Sequence, residues 1–270
     1  MGAALGWIFD TVPNRNKTVA ERNIALCYPQ LDPAARRKLT RQNLLETGKN
    51  ITELSAFWHW KKEKILKIHA DTVGRDLYDA AQQQGKGVIV ASPHFGAWEL
   101  AGLLLSIEAP IHFLYRPNRN SAIDEPVISA RERFGGACHP ITSKGLGKLV
   151  RALKKAETIA ILPDQEPARD HGVFAPLYGV PAYTMTFLAN LAKRTGAPVI
   201  FTAAERLPKG QGFRIHYLKA EDDLYDDNPE IAAAALNRCV ERCIDIASAQ
   251  YMWNYKRFRK RPPGTPSLYS

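Results

Sequence analysis

The sequence predicts an α/β fold: a mixed, largely parallel central sheet flanked by helices, with a helical, basic N-terminal part. Three observations predict it. From residue 87 short β-branched runs alternate with helical stretches, the first third of the chain has helical periodicity without such runs, and two of the later runs lie close enough to form a hairpin. Continuous apolar strands alternating with helices are the pattern of a sheet covered on both faces. With 270 residues, 45% of them hydrophobic, the chain can bury one substantial core. We expect a single domain: a helical part over 1–70, an α/β core over 71–250 and a basic tail over 251–270.

In the first part, "NKTVAERNIALCYPQL" places Val19, Ile24, Leu26 and Cys27 ahead of Pro29. A longer helical repeat follows in "DPAARRKLTRQNLLETGKNITELSAFWHW", with Asp32 as the cap and Pro33 at the first helical position. Its apolar side carries Leu39, Leu44, Leu45, Ile51, Leu54 and Phe57, while Arg36, Arg37, Lys38 and Arg41 crowd its start. Strands are expected at 87–92, 110–115, 158–163, 198–204 and 213–218, and helices near 97–107, 121–134, 145–156 and 184–195. The last two strands, joined by "RLPKGQG", read as a hairpin, which makes the sheet mixed. Residues 161–184 read as the end of a strand followed by a long irregular loop whose "FAPLYGVPAYT" shapes an apolar wall. A final helix is expected from Pro229 to about Gln250 with Leu236, Val240 and Ile244 on its buried side, and the tail after Arg261 looks like a linker.

Lys and Arg number 37 against 27 Asp and Glu, a formal charge of +10 and a pI near 9.5, which favours an anionic partner: nucleic acid, anionic lipid or an acidic carrier protein. A nucleic-acid module is disfavoured, because the aromatics lie in core-like or tail positions and no recognisable RNA- or DNA-binding pattern appears. Cys27, Cys138, Cys239 and Cys243 form no CxxC pair and read as core residues of a reducing compartment. The opening "MGAALGWIFDTVPN" lacks the basic start of a signal peptide, and its apolar stretch is short of the roughly 20 residues that span a bilayer.

"ASPHFGAWEL" (91–100) puts His94 in the turn between a strand and a helix and Glu99 inside the first turns of that helix. Ligands of open α/β sheets bind at this carboxyl edge. If the turn folds the imidazole over the helix start, Glu99 orients a general base; otherwise His94 is a satisfied core histidine and Glu99 a favourable charge at a helix N-terminus. Arg116, Asn118 and Arg119 in "LYRPNRN" leave the next strand at the same edge, where a guanidinium can hold a phosphate or an oxyanion. Asp164, Gln165, Glu166, Asp170 and His171 follow the third strand. A metal held by His94, Glu99, Asp164 and His171 is not expected, since no HExxH or paired-cysteine spacing supports it.

"SPHFGAWEL", "LYRPNRN" and "LPDQEP", in this order on successive strands, resemble the lipid A biosynthesis acyltransferases, the lauroyl and myristoyl transferases. These belong to the lysophospholipid and glycerol-phosphate acyltransferase superfamily, marked by H-x4-D/E. "ERNIALCYPQL" and "QYMWNYKRFRKRPPG" resemble further motifs of the same family, so the likeness runs from about residue 17 to 263. It implies His94 as general base, Glu99 as its partner, and Arg116, Asn118, Asp164 and Gln165 on the substrate side. It implies transfer from an acyl thioester, with acyl carrier protein as donor, to a hydroxyl of a lipid A precursor, with no cofactor. Other lipid acceptors, such as a glycerophospholipid, an aminolipid or a phosphoinositide mannoside, are the alternative. It also implies the cytoplasmic face of the bacterial inner membrane, with residues 1–70 membrane-proximal and the chain peripheral or anchored through its N-terminus. There Lys256, Arg257, Arg259, Lys260 and Arg261 would meet anionic headgroups. Two departures stand out: only "MGAALGWIF" occupies the place of the family's longer hydrophobic stretch, and Asn254 and Tyr255 stand where the closing motif commonly has a histidine.

Overall fold

Three helices open the chain, α1 (Gly2–Thr11), α2 (Arg15–Cys27) and α3 (Pro33–His59). Asn14 caps α2 by accepting the Lys17 N–H at 3.0 Å, and Asp32 caps α3 by accepting the Ala35 N–H at 2.7 Å. The computed structural model describes residues 1–117 and 121–269, without the side chains of 121–123, so Asn118 and Arg119 lie outside the described residues. After α4 (Lys62–Ile68) come β1 (His69–Val73), α5 (Arg75–Gln83), β2 (Val88–Ala91), α6 (Trp98–Glu108), β3 (Ile111–Tyr115), α7 (Ser121–Glu132), β4 (Gly136–Pro140), α8 (Ser143–Lys154) and β5 (Thr158–Ile161). The chain continues through β6 (Gly172–Leu177), β7 (Val180–Met185), α9 (Phe187–Thr195), β8 (Val199–Arg206), β9 (Phe213–Lys219) and α10 (Pro229–Asp245).

Seven strands form one sheet in the order β1-β9-β8-β2-β5-β3-β4, and β6 and β7 form a separate ladder. Only β8 and β9 pair antiparallel within the large sheet, so the expected hairpin and the mixed, largely parallel character are both present. One face packs on Phe57, Ile65, Leu100 and Leu103 from α3, α4 and α6. The other packs on Ile24, Leu149, Leu188, Leu236 and Trp253 from α2, α8, α9, α10 and the closing segment. β2 and β5 sit at the centre, with all four residues of each buried.

Three expectations need correction. The loop expected after Asp170 is the β6–β7 hairpin: Tyr178 and Gly179, both at positive φ (48° and 76°), make a two-residue turn, and Pro176 faces Pro181 across the ladder. Proline fits because each strand pairs on one side only, which leaves the other free of any donor requirement. The final helix stops at Asp245, with a 3-10 turn over Ser248–Gln250. The tail after Arg261 is not a free linker, since the Leu268 carbonyl accepts the Arg22 Nε–H at 2.7 Å and Tyr269 Oη accepts the Phe258 N–H at 3.1 Å.

α1 approaches α3 through glycines. A methyl group added to Gly48 would lie 2.3 Å from the backbone nitrogen of Gly6, leaving no room for any side chain. Gly48→Val should therefore cost about 1–3 kcal/mol by overpacking, read as a lower urea midpoint. Gly147→Ala, where nothing lies within 4 Å in the interior of α8, should be neutral or stabilising by about 0.4–1 kcal/mol.

Candidate active site

Parallel register brings the site together. Ala91 of β2 pairs with Ile161 of β5, and three residues beyond each partner stand His94 and Asp164. Because the strands run in the same direction, equal offsets place these two side by side at the carboxyl edge. His94 Nδ1 lies 2.8 Å from Asp164 Oδ1, and the His94 backbone N–H donates to Asp164 Oδ2 at 3.0 Å. The Asp164 side chain is 2% exposed. Burial alone would raise its pKa, but the His94 charge and both hydrogen bonds outweigh it and hold the carboxyl below its ordinary value. An ionised carboxylate only accepts, so this contact requires the proton on Nδ1, and in the neutral ring the lone pair then falls on Nε2. That lone pair faces the Gln165 side-chain amide, whose Nε2 is 3.2 Å away, while the imidazole leans on the Trp98 ring with centroids 5.2 Å apart. Tyr251 is buried nearby; burial first and the Asp164 charge second keep its phenol protonated well above the ordinary range.

Glu99 does not reach His94. It lies in the first turn of α6 on the side facing α7, where Arg131 grips both its oxygens, Nε donating to Oε2 at 3.1 Å and Nη2 to Oε1. A buried carboxylate takes the partner that supplies two parallel N–H bonds, and the guanidinium fork does so where a single imidazole nitrogen cannot. The imidazole instead turns toward β5. The carboxylate that the structure places against His94 Nδ1 is therefore Asp164, expected on the substrate side, and not Glu99. Arg131, whose guanidinium also stands over the Phe113 ring at 5.6 Å, was invisible to sequence reasoning because no local pattern marks it.

Of the other expected residues, Arg116 is exposed on the loop after β3, one strand beyond β5 in the sheet, and Asn118 lies outside the described residues. Glu166 is buried and belongs to the scaffold: it accepts the Lys260 N–H at 2.7 Å and pairs with Arg259 at 3.2 Å. His171 is exposed, and among the described residues no group of three or more His, Cys, Asp or Glu is placed to hold a metal ion. In the basic cluster expected at headgroups Arg257 is buried, Arg259 is exposed, and three members bond back to the protein's own carbonyls. Arg257, 2% exposed, donates to the Tyr183 carbonyl at 2.8 Å and to Thr184 Oγ1 at 2.9 Å, Lys260 Nζ donates to the Pro167 carbonyl at 2.5 Å, and Arg261 to the Pro181 carbonyl at 3.2 Å.

Residues 1–260 match the bacterial lipid A biosynthesis acyltransferase family. The chain belongs to this family. It is 32% identical to the lipid A biosynthesis lauroyltransferase of Escherichia coli K12 over 270 residues, covering all of this chain and 87% of that relative. It is 30% identical, with the same coverage, to the lipid A biosynthesis palmitoleoyltransferase of the same organism, and 31% identical to a lipid A biosynthesis acyltransferase of Haemophilus influenzae, covering all of this chain and 86% of that protein. The protein is thus an acyltransferase of lipid A biosynthesis, and the family implies a lipid A precursor as acceptor.

The Glu99–Arg131 pair predicts a stability effect separable from chemistry. Glu99→Gln leaves a largely buried guanidinium without its counter-charge, and thermal unfolding should show a loss of about 3–5 kcal/mol. Replacing both residues by methionine should recover most of that loss.

Proposed function

We propose that this protein transfers a fatty acyl chain from an acyl carrier protein thioester directly to a hydroxyl of a lipid A precursor. His94 is the general base and Asp164 the carboxylate that orients it. The observation that carries the reading is an imidazole whose Nδ1 meets a buried carboxylate at 2.8 Å at the carboxyl edge of the sheet, which leaves Nε2 as the base nitrogen of the neutral ring. The acceptor hydroxyl displaces the Gln165 amide from Nε2 and gives up its proton as its oxygen bonds to the thioester carbonyl carbon. The tetrahedral intermediate then expels the thiolate, which takes the proton back from the imidazolium. This reading assigns the oxyanion to first-turn N–H groups of α6 and to the guanidinium of Arg116 from the loop after β3. No acyl-enzyme forms. Glu99 and Arg131 act by holding α6 against α7, which keeps the helix start and Trp98 in place beside His94. The donor's acidic carrier suits a chain of charge +10.

With purified protein, an acyl carrier protein thioester and a lipid A precursor, His94→Ala should yield no product. Asp164→Asn should lower turnover on the order of 10⁴-fold while the fold persists, by the logic of a neutralised triad aspartate. Full activity of either folded variant would remove His94 and Asp164 from the chemistry.

The acceptor lipid places the enzyme at the cytoplasmic face of the inner membrane in this reading. Among the described residues no helix is long and apolar enough to cross a membrane; a surface element is what this reading proposes for attachment. The support comes from α1, a ten-residue helix whose Trp7 and Ile8, with the following Val12 and Ile51 of α3, are 46–56% exposed. Such a face lies in the headgroup boundary, and its hold scales with apolar area. Trp7→Ser with Ile8→Ser should weaken binding to anionic vesicles equally at low and high salt in a flotation assay. A loss that appears only at low salt would assign attachment to basic residues instead.

A further inference from the structure

The turn that carries His94 belongs to no helix or strand; Ala204 of β8 accepts the Ala97 N–H at 2.8 Å, and its other long-range main-chain partners come from the segment after α10. Phe95 and Tyr251 form an antiparallel bridge, flanked by the Gly96 N–H donating to the Gln250 carbonyl at 2.9 Å and the Met252 N–H donating to the His94 carbonyl at 3.0 Å. Behind this segment stands Asn43 of α3, 1% exposed. Its Nδ2 donates to the Ala249 carbonyl at 2.9 Å and to the Tyr251 carbonyl at 2.6 Å. The peptide unit between Tyr251 and Met252 therefore receives Asn43 on its oxygen and gives its N–H to His94. Accepting a bond at the oxygen polarises a peptide and strengthens its N–H as a donor.

Asn23 of α2, also 1% exposed, repeats the arrangement four residues on. Its Nδ2 donates to the carbonyls of Trp253 and Tyr255, each at 2.7 Å, and Tyr255 Oη accepts the Glu166 N–H at 3.1 Å, two residues past Asp164. One turning segment, 249–255, is thus gripped by two buried amides, and the same segment holds the turn of His94 and the loop of Asp164. Among the described residues Asn43 Oδ1 has no hydrogen-bond partner, so the amide acts here through its Nδ2 donors alone.

We propose that Asn43 is a positioning residue for His94, acting through the Tyr251–Met252 peptide, with Asn23 its counterpart for the Asp164 loop. The proposal rests on His94 being the base. Misplacing a base by a fraction of an ångström lowers turnover without touching substrate affinity.

The test is steady-state acyl transfer by Asn43→Leu and Asn43→Gln, each alone and combined with Asp164→Asn. For Asn43→Leu, kcat should fall roughly 10- to 100-fold with KM for donor and acceptor unchanged. Asn43→Gln, which keeps the amide donors, should recover part of that loss. The combined Asn43→Leu and Asp164→Asn protein should be no slower than Asp164→Asn alone, because both act through one imidazole. Wild-type kcat in a folded Asn43→Leu protein overturns the proposal, as does a loss confined to KM or one that multiplies with Asp164→Asn. If Asn43→Leu does not fold, Asn43→Ser takes its place, and full kcat there overturns the proposal equally. Turnover retained by His94→Ala would instead remove the base assignment, a failure distinguishable from the others.

Discussion

Burying a carboxylate costs several kcal/mol unless hydrogen bonds replace the lost water, and Asp164 is the carboxylate whose burial organises this protein. The ring and backbone N–H groups that compensate it both belong to His94, at the end of a different strand. They arrive together only if β2 and β5 are immediate neighbours, parallel and in register. The central position of those two strands and the closing segment packed over their ends serve that one requirement. Shifting either strand by a residue would strand the carboxylate as well as expose the core.

Other buried charges follow the same rule and each joins elements far apart in sequence. Glu99 and Arg131 link α6 to α7, and Arg206 at the end of β8 holds Glu46, Asn50 and Glu53 of α3. Glu166 fastens the loop after β5 to Arg259 and Lys260. Such pairs add little net stability, because desolvation offsets attraction, but an incorrect docking would leave each of them broken and expensive. They specify which helix lies against which strand, a choice that apolar contacts alone leave open.

The buried strands were legible because they are continuous apolar runs, and the turn between a run and a helix put His94 at the carboxyl edge of the sheet, where it lies. β1 and β4 escaped notice: "HADTV" and "GACHP" lie at the two edges of the sheet, where half-exposed positions do not need apolar residues. The β6–β7 hairpin was hidden by Pro176, Gly179 and Pro181, residues that suit a two-stranded ladder but imitate a loop. In the site, Glu99 drew attention through its spacing from His94, whereas the contact to Asp164 depends on strand register, which no spacing within one segment contains. Arg131 and the two buried asparagines are tertiary partners, and their local sequence is that of any helix.

The asparagines impose an order of events on synthesis. Asn43 is 206 residues ahead of one carbonyl it grips, and Asn23 is 230 ahead of another. A ribosome adding roughly 5–20 residues per second needs on the order of ten seconds or more to cover that distance. Throughout that interval α2 and α3 have their polar amides and apolar faces but no closing segment to receive them. The turn that carries His94 completes its bracing only when residues 249–255 have been made and folded back, so until then the polar amides and apolar faces of α2 and α3 are open to aggregation.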